Sequence, residues 1–324
     1  MSSEIINMKK LVVLILATLL FNCQNKKKDK HTISGTNLEL IGDTMFLKKF
    51  QHFDYLDKNY ILDIAVVNDK GEFSFEVKDT YPKLVSITNH NKPPNTYQVF
   101  KDSPEIFYYS FCANFLAETP TLYLENNSNY IIKHWDSKLN DSSIVYNSKK
   151  LNQLRKYYRN VDYRKGYIDN NREFLDITKE EAWKNVSKIR DSFLKDFDLD
   201  QDVSENTYEH YLKTEITLGA VNDFLIWYFR KTDNTIDDDF YKTLMETYNS
   251  EHWHPNSVEY YKLTEHYINY KLNTKHNKIE KYYEPSIEKY EVAKAYAREN
   301  IKKLYIQNIE RLIHENNTTS NTDN

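Results

Sequence analysis

The sequence predicts an α+β protein in which an antiparallel β-sandwich or barrel-like domain precedes an all-α helical domain. In the first part, apolar and polar residues alternate in short runs such as Phe73-Ser74-Phe75-Glu76, which is the period of a strand. Three of the five glycines and five of the seven prolines lie between residues 31 and 146, where they separate strands. After about residue 148 apolar residues recur every three or four positions, which is typical of helices.

The predicted β domain covers residues 31–147. Its expected strands are Thr32–Ser34, Met45–Phe50, Ile61–Val67, Glu72–Val77, Leu84–Thr88, Tyr97–Phe100, Thr121–Leu124, Asn129–His134 and Ser143–Tyr146. The polar turns at 68–71 and 125–128 each join two of these strands, so we expect a hairpin at each turn.

The predicted helical domain covers residues 148–315. Thr178 and Glu181 have the spacing of a capping box, which begins a helix. The run Tyr208–Phe229 is apolar on nearly every side, and a helix of this kind is usually buried, so we expect it to be central. Pro285-Ser286 should open a last helix that ends near residue 315, and residues 316–324 form a polar tail that we expect to be disordered.

The N-terminal residues 1–23 have the pattern of an export signal. Lys9 and Lys10 precede the apolar run 11–21, which is too short to span a bilayer but fits a secretory signal. Cys23 ends this run, and a polar tether follows at 24–30. This arrangement resembles a bacterial lipoprotein signal, although Asn22 stands where that family prefers a small residue. An ordinary signal peptide with an incidental cysteine is the alternative.

Composition excludes some classes of function. The chain has 324 residues, a net charge of −4, 40% hydrophobic and 28% charged residues, values that suit a folded globular protein. We therefore expect no nucleic-acid partner, because such proteins usually carry a basic domain or stripe. If Cys23 carries lipid, Cys112 is the other cysteine and no internal disulfide forms. The aromatic neighbours of Cys112 predict a buried, unreactive thiol.

Two histidines form a weak candidate metal site. His252 and His254 flank Trp253, and in an extended loop residues two apart point the same way. His266 or Glu259 would supply further ligands, since zinc takes three or four. The stronger interpretation is a loop between helices that Trp253 anchors, so we predict no bound cofactor.

Asp237, Asp238 and Asp239 form an acidic cluster that could supply catalytic carboxylates. Negative charge in the first turn of a helix complements the helix dipole. We interpret the cluster as a helix start rather than as a pair of catalytic carboxylates.

Several short motifs resemble one family of proteins. They are His31-Thr32-Ile33-Ser34-Gly35, Met45-Phe46-Leu47-Lys48-Lys49, Asn68-Asp69-Lys70-Gly71-Glu72-Phe73-Ser74-Phe75, Tyr81-Pro82-Lys83-Leu84-Val85, Leu122-Tyr123-Leu124-Glu125-Asn126 and Ser148-Lys149-Lys150-Leu151-Asn152-Gln153-Leu154. Residues 20–160 resemble the N-terminal part of the thioredoxin-like, ResA/TlpA-type bacterial lipoproteins, and the helical part resembles theirs in character. The resemblance implies an exported, lipid-anchored protein with a small β domain, a helical segment and a thioredoxin-like catalytic domain.

The catalytic Cys-x-x-Cys of that family is absent from this sequence, so no catalytic residue is carried over. We therefore expect a non-catalytic binding or scaffolding protein that is held at the cell envelope, at the outer membrane, through lipidated Cys23. An envelope protein is the expected partner besides the membrane. Two alternatives are an accessory subunit that docks a separate thioredoxin-like oxidoreductase and an enzyme of unrecognised type.

Overall fold

The computed structural model describes residues 31–49, 60–78, 80–81, 83–89, 120–125, 128–134, 144–157, 176–199, 201–231, 238–247, 252–278, 280 and 283–319. Within them, the N-terminal part consists of strands β1 (His31–Thr36), β2 (Thr44–Lys49), β3 (Ile61–Val66), β4 (Glu72–Val77), β5 (Leu84–Thr88), β6 (Thr121–Tyr123), β7 (Tyr130–His134) and β8 (Val145–Tyr146). The C-terminal part is helical, which confirms the predicted α+β class. Cys23, Cys112 and the predicted strand Tyr97–Phe100 lie outside the described residues.

The strands form two four-stranded sheets. The first sheet has the order β4-β1-β7-β8, and the second has the order β3-β2-β5-β6. Neighbouring strands are antiparallel except β1 and β7, which pair in parallel. The expected antiparallel arrangement is therefore corrected for this pair. Parallel strands need a long connection, and nearly the whole β domain separates β1 from β7.

Both predicted hairpins are wrong, although the first turn forms as expected. Asn68 Oδ1 accepts the N–H groups of Lys70 and Glu72 at 2.9 Å. However, β3 pairs with β2 while β4 pairs with β1, so the turn carries the chain from one sheet to the other. The connection from β6 to β7 also crosses between the sheets. A tight turn brings two strands together, but it does not decide whether they share a ladder or face each other across a core.

One hydrophobic core lies between the two sheets. Alternate residues of both sheets point into it, as the strand period requires. The first sheet contributes Ile33, Phe73, Phe75, Tyr130 and Ile132, and the second contributes Met45, Leu47, Val85, Ile87 and Leu122. The β domain is therefore a sandwich.

Seven helices follow in the described part of the chain. They are α1 at 149–157, α2 (Lys179–Asp196), α3 (Tyr208–Lys231), α4 (Asp239–Thr247), α5 (Val258–His276), α6 (Ile287–Tyr296) and α7 (Glu299–Thr319). The predicted capping box opens α2: Glu181 N–H donates to Thr178 Oγ1, and Thr178 N–H donates to the Glu181 carboxylate. The predicted last helix is divided into α6 and α7 at Ala297, whose backbone is extended, and α7 continues to Thr319 rather than ending near residue 315.

Helix α3 is buried along most of its length, as predicted, and α5 is buried to a similar extent. The apolar residues of α3 and α5 form one core with those of α2, α4, α6 and α7. One buried charge in this core is shared by three helices. Glu265 of α5 accepts hydrogen bonds from Lys289 of α6 and Tyr305 of α7, so the three helices share one buried polar contact.

The two parts of the protein share a third apolar cluster. Leu84 and Tyr123, on the outward face of the second sheet, pack with Tyr157 of α1 and with Tyr211 and Leu212 of α3. All five residues of β5 are buried. The second sheet therefore has a core on each face, one from the first sheet and one from the helices, and this arrangement leaves the first sheet's outward face on the surface.

Candidate functional site

A groove of about 600 Å³ lies at the edge of the sandwich where β3 and β4 are found. We call it the edge groove. It is lined by Ser34, Gly35, Thr36, Ile64, Ala65, Val66, Asn68, Glu72, Phe73, Ser74 and Ile131.

The floor of the edge groove is the outward face of the first sheet. Ser34 of β1 pairs with Ser74 of β4 on one side and with Ile131 of β7 on the other. Because Ile33, Phe73 and Ile132 point into the core, their neighbours in the strands point outward. The floor therefore combines small hydroxyl groups with one aliphatic side chain, Ile131, which is 46% exposed.

The rim of the edge groove is strand β3, which lies at the edge of the second sheet. Ile64 and Val66 are 55% and 62% exposed, and they are two residues apart, so they point to the same side. Large aliphatic side chains at this exposure on an edge strand are typical of a surface that meets another chain.

Two side chains cap part of the backbone of β3. Asp63 Oδ1 accepts the N–H of Ile64 at 2.9 Å, and Tyr81 Oη donates to the carbonyl oxygen of Leu62 at 2.9 Å. Burial, together with the charges of Asp63 and Glu76, raises the pKa of Tyr81, so its hydroxyl stays protonated and able to donate. These bonds protect the first half of the strand against unspecific pairing, and the Val66 end lies beside the groove.

Glu72 gives the edge groove its charge, because it is the ionisable side chain among the lining residues. Its Oε2 accepts a hydrogen bond from Asn68 Nδ2 at 3.1 Å, and its backbone N–H donates to Asn68 Oδ1. The turn between β3 and β4 therefore holds the carboxylate in place. Hydroxyl groups, aliphatic side chains and one carboxylate can bind an extended peptide.

The predicted pair of histidines does not point to one place. His252 is exposed, whereas His254 is 2% exposed. The expectation that both rings face the same way is therefore wrong, because the backbone turns at 254–257, where Ser257 N–H donates to the carbonyl oxygen of His254.

Both ring nitrogens of His254 are occupied by protein groups. Nε2 lies 2.9 Å from Tyr123 Oη, and Nδ1 accepts the N–H of Asn256 at 3.2 Å. Nδ1 is thus an acceptor, so the proton is on Nε2 and points to Tyr123. Burial, and then the neighbouring His210, lower the pKa of His254 to about 3. This neutral ring joins the second sheet to the helical part.

Glu259 and His266, the further metal ligands proposed from the sequence, contact other protein groups. Glu259 accepts from Lys262 Nζ at 2.9 Å and from Asn222 Nδ2 at 2.8 Å. His266 stacks on Phe229 with a ring-centroid distance of 5.9 Å, and burial lowers its pKa to about 4. Among the described residues, no three histidine, cysteine or acidic side chains come together as a metal site.

The acidic cluster is a helix start, as predicted. Helix α4 begins at Asp239, and Asp238 Oδ1 accepts the N–H of Tyr241 at 3.0 Å. Asp238 also pairs with Lys179 of α2 at 3.1 Å. The backbone and lysine contacts outweigh partial burial and hold the pKa of Asp238 below its usual range. Asp237 lies outside the described residues.

Sequence reasoning missed the edge groove. The signal was present in the β3 sequence ILDIAV, where apolar residues occupy neighbouring positions and not only alternate ones. Such a strand has apolar side chains on both faces, which indicates a covered edge or a surface that binds another chain.

No helix in the described part of the chain has the length and hydrophobicity needed to cross a bilayer. No family model, curated protein or solved structure matches the chain. The resemblance to the thioredoxin-like lipoproteins therefore stays a prediction.

Proposed function

We propose that this protein is a lipid-anchored cell-envelope protein with a non-catalytic role, and that it binds an extended segment of a partner protein in the edge groove. The observation that carries the binding proposal is the exposure of Ile64, Val66 and Ile131 around one groove at a sheet edge. The anchoring proposal depends on the apolar run that ends at Cys23.

An extended peptide fits the groove better than a helix does. Ile64 and Val66 have the two-residue spacing of side chains on one face of a strand. A peptide lying beside β3 would place every second side chain against them, and its backbone would extend the second sheet at the Val66 end of β3, beyond the groups that Asp63 and Tyr81 cap. Recognition of this kind takes affinity from main-chain hydrogen bonds and specificity from alternate side chains.

The charge of the groove selects among such peptides. Glu72 lies in the groove and is the acidic side chain among its lining residues. A peptide with alternating aliphatic residues and one lysine or arginine opposite Glu72 would complement both the apolar rim and the carboxylate. The partner segment is therefore expected to be aliphatic and basic.

The test is site-specific photocrosslinking of the full-length protein in its native host. A benzoylphenylalanine at position 66 should give one discrete adduct, which maps to an extended, basic segment of the partner. The same probe at position 287, where Ile287 is 73% exposed on α6, should not give that adduct. Glu72→Lys should remove the adduct because it reverses the charge in the groove.

Glu76→Lys is the matched control, since Glu76 lies on the same strand and is exposed but does not line the groove. This control should leave the adduct in place. The proposal is wrong if the position 66 probe gives no discrete adduct, if position 287 captures the same partner, or if Glu72→Lys and Glu76→Lys have equal effects.

A further inference from the structure

A buried arginine lies at the opposite edge of the sandwich from the edge groove. Arg155 of α1 is 8% exposed. The same helix covers the edge of β8: Asn152 Oδ1 accepts the N–H of Tyr146 at 2.9 Å, and Asn152 Nδ2 donates to the carbonyl oxygen of Tyr146 at 3.0 Å. Tyr146 Oη reaches β6, where it donates to the carbonyl oxygen of Thr121. Arg155 is thus enclosed where α1 closes the edge formed by β6 and β8.

The guanidinium of Arg155 has no hydrogen bond or ion pair among the described residues, and its Nη1 is fully buried without a hydrogen-bond partner. Burying a charge without pairing it opposes folding strongly. Two other buried cations are paired with carboxylates: Lys262 contacts Glu259 at 2.9 Å, and Lys289 contacts Glu265. A third, Lys48, lies over the rings of Phe46 and Tyr60.

The neighbouring tyrosine does not neutralise Arg155. Burial raises the pKa of Tyr146 well above its usual range, so its hydroxyl is neutral. That hydroxyl donates to the Thr121 carbonyl oxygen at 3.1 Å and accepts the Thr121 N–H at 3.0 Å, so its proton and one of its two lone pairs are used by β6. Burial lowers the pKa of Arg155, but a guanidinium stays protonated throughout the physiological range. The positive charge of Arg155 therefore has no carboxylate partner among the residues that the structure describes.

We propose that Arg155 forms a binding site for an oxyanion, a carboxylate or phosphate group of a small ligand, at the edge of the sandwich between β6 and β8. A guanidinium presents parallel N–H donors that match the two oxygens of such a group. The buried setting strengthens the interaction, because less water competes for it. This site is separate from the edge groove, and the proposal does not depend on the peptide-binding function.

The experiment follows the melting temperature of the full-length protein in detergent as anions are added. Inorganic phosphate and acetate are titrated separately, and sodium chloride holds the ionic strength constant. Ligand that binds only the folded state raises the melting temperature. We expect at least one of the two anions to raise it by about 3 °C or more at saturation, and the stronger one identifies the ligand class.

Arg155→Met tests the residue. It should abolish the anion-dependent shift, and without anion its melting temperature should equal or exceed that of the wild type, since the substitution removes an unpaired buried charge. Lys156→Met is the matched control, because Lys156 is the next residue on α1 and is exposed. It should keep the anion-dependent shift.

Arg155→Lys keeps the charge but loses the fork of donors, so half-maximal stabilisation should need about tenfold more anion. If Arg155→Met fails to fold, the Arg155→Lys variant still tests whether Arg155 binds the anion. The proposal is overturned if neither anion stabilises the wild type beyond chloride. It is also overturned if Arg155→Met retains the full shift, or if Arg155→Lys responds to anion as the wild type does.

Discussion

At the scale of single residues, the fold keeps two buried histidines, His254 and His266, neutral. His254 is enclosed by Tyr123, Tyr211 and His210, with ring-centroid distances of 5.4 to 5.7 Å. The environment lowers the pKa of His254 to about 3 and that of His266 to about 4. In the unfolded chain both titrate near 6.5. Between its folded-state pKa and about pH 6.5, each histidine is therefore protonated in the unfolded chain and neutral in the folded protein.

This difference sets the sign of the pH dependence. The contribution of each histidine to stability is fully present above about pH 6.5 and is lost as the pH falls toward its folded-state pKa. Each should lower the free energy of unfolding by about 1.4 kcal/mol per pH unit in that window. His254→Gln should reduce the slope measured by urea denaturation between pH 6 and pH 4 by about this amount. His252→Gln, at an exposed position, should not change it. Equal slopes for His254→Gln and the wild type would contradict the assignment.

The helical core also contains a buried carboxylate, which hydrogen bonds at a helix N-terminus stabilise. Glu215 of α3 is fully buried, and its Oε1 accepts the hydroxyl of N-cap Ser257 at 2.6 Å and the N–H of Glu259 at 3.3 Å. A carboxylate at a helix N-terminus complements the helix dipole. The burial of this charge is thus compensated by the first turn of α5.

At the scale of elements, the turn at 68–71 carries the chain from β3 in the second sheet to β4 in the first sheet. Gly71 has φ of +76°, in the left-handed region. A Cβ at this position would lie 3.1 Å from the backbone of Asn37 and 2.9 Å from Leu38 Cδ2. The turn also receives a hydrogen bond from Asn37 N–H to the Gly71 carbonyl oxygen at 2.8 Å. Where the chain passes from β3 in one sheet to β4 in the other, its backbone therefore lies close to that of Asn37 at Gly71.

Alanine substitution separates the two effects at this turn. Gly42 also has positive φ, +84°, but a Cβ there would meet nothing within 4 Å. Gly42→Ala should lower the free energy of unfolding by about 1 kcal/mol because of the backbone conformation alone. Gly71→Ala should cost about 1 kcal/mol more, because the Asn37 backbone must move. Equal losses for the two variants in urea denaturation would show that the close approach is unimportant.

At the scale of the whole molecule, the two parts are joined over an apolar surface and not by a linker alone. Tyr123 of β6 contacts Tyr208 and Tyr211 of α3 at ring-centroid distances of 5.6 and 5.3 Å. Aromatic contacts of this geometry contribute beyond the area they bury. We therefore expect the sandwich and the helices to act as one body, with the edge groove on the side away from this contact.

Lipid anchoring would hold that body at the envelope, and it gives a prediction for the full chain. Labelled palmitate should enter the wild-type protein in its native host, because the apolar run ends at Cys23 as in a lipoprotein signal. Each buried methylene of the attached chain would contribute about 0.8 kcal/mol to membrane binding. Cys23→Ala should remove the label. Cys112→Ala, the control for the other cysteine, should retain it. Equal labelling of wild type and Cys23→Ala would exclude anchoring through Cys23.

Some features follow from the sequence by itself because they depend on neighbouring residues. The change from a period of two to a period of three or four predicts the α+β class. The capping box at Thr178 and Glu181 predicts the start of α2, and the apolar run after Tyr208 predicts a buried central helix. Hydrogen bonding within the turn and within the helix determines these features, so local residue types are enough to reveal them.

Other features appear only when distant elements meet. The turn residues at 68–71 are the same whether β3 and β4 pair or face each other, and only pairing with β2 and β1 decides between the two. His254 is buried and His252 exposed because Tyr123 and His210 lie on one side of their loop. Arg155 lies on helix α1, and the helical pattern of that segment does not predict where the strands that enclose Arg155 will lie. Burial of a polar group depends on the assembled surroundings, and those surroundings come from the tertiary structure.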